Sequence, residues 1–220
     1  MRVIKGTGKG VLKVPPDTTR LTISLGGIYP EYADALQHLT EDTERLKDVL
    51  ETLNFSRKDL KTLSFNINTK YESHKDENGD YQQRFEGYQF SHIMKLEFPN
   101  DNDLLGRTLY AVAHSNLNPK IRISYTIKDT EAAKQELLKN AVRDATAKAQ
   151  VLAQAAGVSL GEIQSIDYSW GKIGLEYKPT NTDEWASLFR AFPSARGGGL
   201  NIQPDDMEVS ETVTVVWEIS

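Results

Sequence analysis

The feature that most constrains this 220-residue chain is a run of three glycines spaced two residues apart. Gly6, Gly8 and Gly10 lie in the stretch VIKGTGKGVLKV, residues 3–14, which has the pattern of a strand. Because successive side chains of a strand point to opposite faces, these three glycines leave one face bare. We expect another backbone or a large side chain to pack against that face, or the strand to bulge there.

The glycine run does not have the pattern of a phosphate-binding loop. A Walker loop needs G-x-x-x-x-G-K-[S/T], and a dinucleotide fingerprint needs G-x-G-x-x-G between a strand and a helix. Here the third glycine falls one residue early, and a second strand, TRLTISLGGIY, follows in place of a helix. Without a helix N-terminus there is no row of free amides to hold a phosphate. The run therefore predicts a packing role.

The rest of the chain alternates between helical and strand-like patterns. A helix is predicted with Pro30 as its first residue and helical apolar spacing over 31–54. Two strands, over 59–71 and 86–98, are predicted to flank a turn at Asn78-Gly79. A short helix capped by Asp101 or Asn102 follows, then a strand over 119–129, an alanine-rich helix over 130–157 and strands over 161–172 and 206–220. Strands in pairs with helices between them predict an α+β fold with mostly antiparallel sheet, in two ββαββ-like halves.

The alanine-rich helix has a predicted buried side, and Gly157 is its expected stop. The residues on that side are Leu138, Ala141, Ala145, Ala149, Leu152 and Ala156. We expect residues 1–220 to form one domain, with two subdomains, 1–98 and 99–220, as an alternative.

Residues 175–205 are too long for an ordinary connection between strands. They contain the apolar stripe, which we define as Trp185, Leu188, Phe189 and Phe192, at i, i+3, i+4 and i+7. A bulky stripe on such an excursion is expected to be buried. The stripe either folds back onto its own sheet or docks onto a neighbouring subunit, a partner or a membrane surface. A membrane is disfavoured because the segment contains few basic residues.

No coherent catalytic or metal-binding motif is present in the sequence. The chain has no cysteine, and its four histidines, His38, His74, His92 and His114, lack a metal-ligand spacing such as H-E-x-x-H. Each is predicted to be a surface or packing residue. The carboxylates Asp76, Glu77 and Asp80 lack the spacing of a calcium loop and are predicted to form a solvated turn; Asp205, Asp206 and Glu208 form a second acidic group. We expect no cofactor and no metal.

Charge and hydropathy limit the partners. The net charge is −5, from 26 basic and 31 acidic side chains, and lysine and arginine are not clustered, so no nucleic-acid partner is expected. No apolar run reaches the roughly 20 residues of a membrane-spanning helix. No leader precedes the first strand, which predicts a cytoplasmic location; the alternative is a periplasmic or extracellular one, with a leader removed.

Four stretches, in order, resemble the SIMPL-domain family, which is named after a mammalian signalling protein that associates with a pelle-like kinase. They are VIKGTGKGVLKVPPDTTRLTISL, GYQFSHIMKLEF, AVRDATAKAQVLAQAAGVSLGEIQSI and MEVSETVTVVWEI. The bacterial members include periplasmic immunogenic proteins and a protein linked to oxidative-stress defence. The resemblance implies the fold and a tendency to form large oligomers, with a role in stress or at the cell envelope. It supplies no catalytic residue.

The leading hypothesis is a non-catalytic protein that self-associates or binds partner proteins, through exposed strand edges and the apolar stripe. The rival hypothesis is an enzyme or small-ligand receptor with a site in a cleft between the two halves. Arg107, His114 and Arg122 are its candidate lining residues.

Overall fold

The computed structural model describes residues 2–75, 79–168, 176–177 and 202–220. Three helices lie in this part of the chain: α1 (Tyr32–Glu51), α2 (Asn102–Ala113) and α3 (Thr130–Ala156). The strands are β1 (Val3–Val14), β2 (Thr18–Tyr29), β3 (Lys61–Lys75), β4 (Tyr81–Pro99), β5 (Lys120–Thr126), β6 (Leu160–Tyr168), β7 (Glu176–Tyr177) and β8 (Met207–Ile219).

One compact unit is built from residues 1–17, 126–177 and 204–220. Its three-stranded sheet has the order β1-β8-β6, and both pairings are antiparallel. Helix α3 packs on β1 and β8. Because apolar residues alternate along β8, one face of that strand is buried under the helix; its buried residues are Met207, Val209, Val213, Val215 and Trp217.

The other compact unit contains residues 18–125. Its four longer strands have the order β3-β4-β2-β5, with antiparallel pairing of β4 to both β2 and β3. Helix α1 packs on β2 and β4 and against α2. The core is aliphatic and aromatic, and its strand and α1 residues include Leu21, Ile23, Leu25, Leu39, Leu46, Leu50, Phe90, Met94, Leu96 and Phe98.

Local chemistry explains several element ends. The Asp101 carboxylate accepts hydrogen bonds from the Asp103 and Leu104 amides, so the predicted Asp101 cap is confirmed. Gly157 ends α3 with a left-handed φ of 67°, also as predicted. Helix α1 begins after Pro30, with Glu31 in an extended conformation at its N-cap, so the predicted start at Pro30 is two residues early.

The glycine run of β1 lies directly beneath α3. A Cβ atom built on Gly8 would overlap the backbone of Ala141 and Ala145, and one on Gly10 would overlap the carbonyl of Leu137. Another backbone therefore packs against the bare face, which is the first of the alternatives that the sequence left open. The close approach requires small residues on both sides.

The buried side of α3 differs in part from the prediction. The buried residues follow a strict i+4 row: Ala133, Leu137, Ala141, Ala145, Ala149 and Ala153. Leu152 is instead 52% exposed, and Ala156 is exposed. The row that faces the sheet is alanine at every position except Leu137, which matches the close approach of the helix to the glycine-faced strand.

The α+β class with mostly antiparallel sheet is confirmed. The two successive ββαββ-like halves are not confirmed, because β1, near the start of the sequence, pairs with β8, near its end. The assignment of one domain or two subdomains stays a prediction.

Candidate interaction surface

The free edge of β1 is covered by polar side chains of α3. The Lys9 amide donates to the Asp144 carboxylate at 2.7 Å, and the Lys148 ammonium donates to the Thr7 carbonyl at 3.4 Å. Asp144 and Lys148 also bind each other at 2.6 Å. The hydrogen bond from Lys148, followed by the one from the Lys9 amide, lowers the pKa of Asp144. Helix α3 thus satisfies backbone groups that would otherwise be open to a further strand.

The opposite edge of the sheet, β6, has a different character. Every residue from Gly161 to Tyr168 is exposed. Among them are three large apolar side chains: Ile163 is 51%, Ile166 48% and Tyr168 46% exposed. In the described ranges β6 has β8 on one side and no strand on the other. An edge strand with exposed apolar side chains offers apolar contacts to another chain.

The charged residues of these two strands differ in sign. The exposed face of β1 carries Lys5, Lys9 and Lys13, and Lys13 binds Glu208 at 3.5 Å. Strand β6, LGEIQSIDY, has no lysine or arginine, and its charged residues are Glu162 and Asp167. Lysine is the residue that most often protects an edge strand from pairing. Strand β6 therefore lacks the lysines of β1, although it has two carboxylates and a register shift on each side of Ile163.

In the other unit, β3 is also an edge strand. It exposes Leu63, Phe65 and Tyr71, although Lys61, Lys70 and Lys75 accompany them. Near the end of β2, a series of edge-on aromatic rings runs from β3 across β4 to Tyr32, the first residue of α1. Their centroids are 5.7 Å apart for Tyr71–Phe85, 5.4 Å for Phe85–Tyr88 and 5.6 Å for Tyr88–Tyr32.

The histidines lie on separate elements. His38 stacks on Tyr29 at 4.2 Å, and His114 lies 4.1 Å from Tyr110 at the end of α2. His74 is exposed on β3, whereas His92 is buried in β4. Burial, with the Asp42 and Glu41 carboxylates, raises the pKa of Tyr29. The described residues hold no group of three or more histidine and carboxylate side chains that could bind a metal.

The other predicted site residues are only partly described. Asp76 and Glu77 lie outside the described residues, as does the whole apolar stripe, Trp185, Leu188, Phe189 and Phe192. For the rival hypothesis, Arg107 and His114 lie on or next to α2 and Arg122 lies on β5. The ring of His114 binds the Tyr110 carbonyl at 2.8 Å, one turn back on its own helix.

The exposed apolar edge of β6 was missed by sequence reasoning. Strand β6 was predicted, but its position at the edge depends on the pairing of β8 with both β1 and β6. The available signal was the combination of isoleucines and tyrosine with no lysine in a nine-residue strand. That signal also fits a buried strand, so the pattern alone does not distinguish the two.

The fold and this surface define a class: an α+β protein whose alanine-rich helix covers one edge and one face of an antiparallel sheet. The SIMPL family, described as "Protein of unknown function (DUF541)", matches residues 4–217. The chain belongs to this family, so the predicted membership is confirmed.

Two curated relatives are 26 kDa periplasmic immunogenic proteins of Brucella. The chain is 27% identical to that of Brucella melitensis biotype 1 over 163 residues, which are 73% of the chain and 64% of the relative. It is 26% identical to that of Brucella abortus strain S19, with the same shares. The alignment thus covers less than two thirds of either relative.

The names of these relatives bear on the cellular location of the protein. Both relatives are named as periplasmic proteins, so the predicted cytoplasmic location of this chain has no support from them. None of the helices that the structure describes is long and apolar enough to cross a membrane.

Proposed function

We propose that this chain is a non-catalytic SIMPL-type protein that assembles with copies of itself, and that the open strand β6 is its principal contact. The observation that carries the proposal is the contrast between the two edges of one sheet. Asp144 and Lys148 occupy backbone groups along β1, whereas β6 exposes Ile163, Ile166 and Tyr168. Natural sheets usually keep large apolar side chains and lysine-free strands away from an exposed edge, so the exposed isoleucines of β6 favour a partner strand.

The chemistry of β6 favours another strand as its partner. Extension of a sheet by an added strand uses main-chain hydrogen bonds for affinity and alternate side chains for specificity. A second copy supplies an identical strand, and two antiparallel copies of β6 around a two-fold axis would give a self-complementary contact. A heterologous partner that offers an extended apolar segment is the other outcome that the same edge supports.

The double variant Ile163→Lys, Ile166→Lys tests this proposal. Lysine keeps strand geometry but places charge where a second strand would pack, so we expect the assembled mass to fall toward that of one chain. The matched control is Val11→Lys, because Val11 is also a β-branched, exposed residue (43%) of this sheet, but on the covered strand β1. We expect the control to keep the wild-type mass.

Light scattering behind a sizing column gives the mass, and circular dichroism confirms that each variant is folded. If the β6 variant kept the wild-type assembly, or if Val11→Lys lost it equally, β6 would not be the contact.

The apolar stripe remains a second proposed contact. Its motivation is the sequence pattern at residues 185–192, since these residues lie outside the described ranges. In the variant Trp185→Asp, Phe189→Asp we expect a lower assembled mass if the stripe docks onto a neighbouring copy. An unchanged mass and unchanged thermal stability would remove the stripe from the account.

We also propose a periplasmic location and a role at the cell envelope or under stress. The support for the location is the name of the two Brucella relatives, whereas the stress role rests on the family resemblance alone. Fractionation of the native cells, followed by immunoblotting against a cytoplasmic and a periplasmic marker, tests the location. Recovery with the cytoplasmic marker alone would contradict it.

A further inference from the structure

His92 links three elements through both nitrogens of its ring. Its Nδ1 lies 3.0 Å from the Thr43 hydroxyl of α1, and its Nε2 lies 2.9 Å from the Thr62 hydroxyl of β3. The residue itself is on β4 and is 7% exposed. The Phe65 ring of β3 contacts it edge-on, with centroids 5.9 Å apart. We call this arrangement the Thr43–His92–Thr62 bridge.

Lys47 is the charged group shown to act on the ring. Helix α1 contributes the Lys47 ammonium, one turn after Thr43, and Glu44 binds that ammonium at 2.7 Å. From β3 the ring meets Thr62 and Phe65, neither of which carries charge, and from β2 its cross-strand neighbour is Leu25. Burial, and then the charge of Lys47, lower the pKa of His92.

We propose that the Thr43–His92–Thr62 bridge is an acid-sensitive clamp that holds α1 and the edge strand β3 against β4. In a neutral imidazole one nitrogen donates and the other accepts, so one threonine donates to the ring and the other accepts from it. In the imidazolium both nitrogens donate. The threonine that donated must then turn its hydrogen away, and a buried positive charge forms near Lys47 without a carboxylate partner.

The direction of the effect follows from linkage. Because the folded chain holds His92 neutral, the unfolded chain binds the additional proton as the pH falls through the ordinary histidine pKa of about 6.5. The clamp is fully formed above that pH and is lost progressively below it. The loss reaches up to about tenfold in the opening equilibrium for each unit by which the folded pKa lies below the ordinary value.

Hydrogen exchange of the full chain at pH 7.5, 6.5 and 5.5 tests the clamp. Protection factors, which correct for the intrinsic pH dependence of exchange, are compared for the amides of 62–65 on β3 and 43–47 on α1. We expect wild-type protection there to fall several-fold between pH 7.5 and 5.5. The variant His92→Gln keeps a donor and an acceptor without a titrating charge, so its protection should be independent of pH over this range.

Two further variants separate the clamp from a general acid effect. His114→Gln is the matched control at an exposed histidine and should retain the wild-type pH response. Lys47→Gln removes the nearby positive charge, so the pH response should become weaker. Equal pH responses of wild type and His92→Gln would overturn the proposal.

If His92→Gln does not fold, a direct titration of the wild-type chain still tests the clamp. The ring signals of His38, His74, His92 and His114 are followed by NMR in the wild-type chain from pH 8 to 5. We expect the His92 ring to titrate below the ordinary histidine pKa, with its midpoint raised in Lys47→Gln. A His92 midpoint at or above about 6.5 would contradict the clamp.

Discussion

At the residue scale, the glycines of β1 decide how closely α3 approaches the sheet. A methyl group added at Gly6 would lie only 3.0 Å from the Ala145 carbonyl oxygen, and Gly8 and Gly10 leave less room. The nearest atom that a side chain would meet at each of the three glycines is a helix backbone atom, which does not move as a flexible side chain does. A glycine in a strand normally costs stability through lost conformational entropy, so its use at three positions indicates that close packing repays that cost.

The substitution Gly8→Ala should therefore destabilise the protein by about 1–3 kcal/mol or more through overpacking. The control is Gly106→Ala in the interior of α2, where an added Cβ would meet nothing within 4 Å. Because alanine has the better helix propensity, the control should stabilise by up to about 1 kcal/mol. Urea unfolding measures both. A neutral Gly8→Ala would mean that α3 does not lie as close to β1 as described.

At this scale much of the structure is predictable from the sequence. Two-residue spacing of the glycines is enough to predict a bare strand face, and the absence of a following helix is enough to exclude a phosphate loop. What covers that face involves a contact between Gly8 and Ala141, which come from opposite halves of the sequence. Spacing along the chain carries no information about such a contact.

At the element scale, the helices differ in how their ends are satisfied. The Asp101 side chain accepts from two amides, at 2.8 and 3.0 Å, whereas Glu31 at the start of α1 makes no side-chain cap bond. A carboxylate at an N-terminus also interacts favourably with the helix dipole.

Replacing Asp101 with alanine should cost about 0.5–2 kcal/mol, because two amides lose their acceptor. The same replacement at Glu31 removes no cap bond and should change the free energy of unfolding by no more than about 0.5 kcal/mol. Chemical denaturation of both variants measures the difference. Equal costs for the two would show that the bonds of Asp101 contribute nothing specific.

The i+4 alanine row of α3 is the second element-scale feature. Ala145 is fully buried, whereas Ala155 on the same helix is exposed. Ala145→Leu should destabilise by about 1–3 kcal/mol through overpacking, and Ala155→Leu should be close to neutral. Thermal melting compares the two. A tolerated Ala145→Leu would show that α3 can move away from the sheet.

The helical spacing of apolar residues predicted the position of α3 in the sequence. It predicted only part of the side that faces the sheet. The helical spacing predicted Leu152 on the inward side, in line with Ala145 and Ala149. The inward row is alanine apart from Leu137, and Leu152 lies outside that row and is exposed.

At the scale of the whole molecule, the sheet edges determine what the protein offers to a partner. Strands β1 and β8 come from opposite ends of the sequence, and their pairing places β6 at an edge. No local pattern in β6 encodes that position. The α+β class and the family were predictable, because they rest on element order and on extended sequence stretches, whereas the open edge required the topology.

The most direct test of self-assembly is the mass of the wild-type chain in solution, measured by light scattering across a wide concentration series. We predict a discrete oligomer whose mass stays constant over the upper part of that range and falls in the double variant Ile163→Lys, Ile166→Lys. A wild-type chain that has the mass of one copy, 24.7 kDa, at every concentration would contradict it.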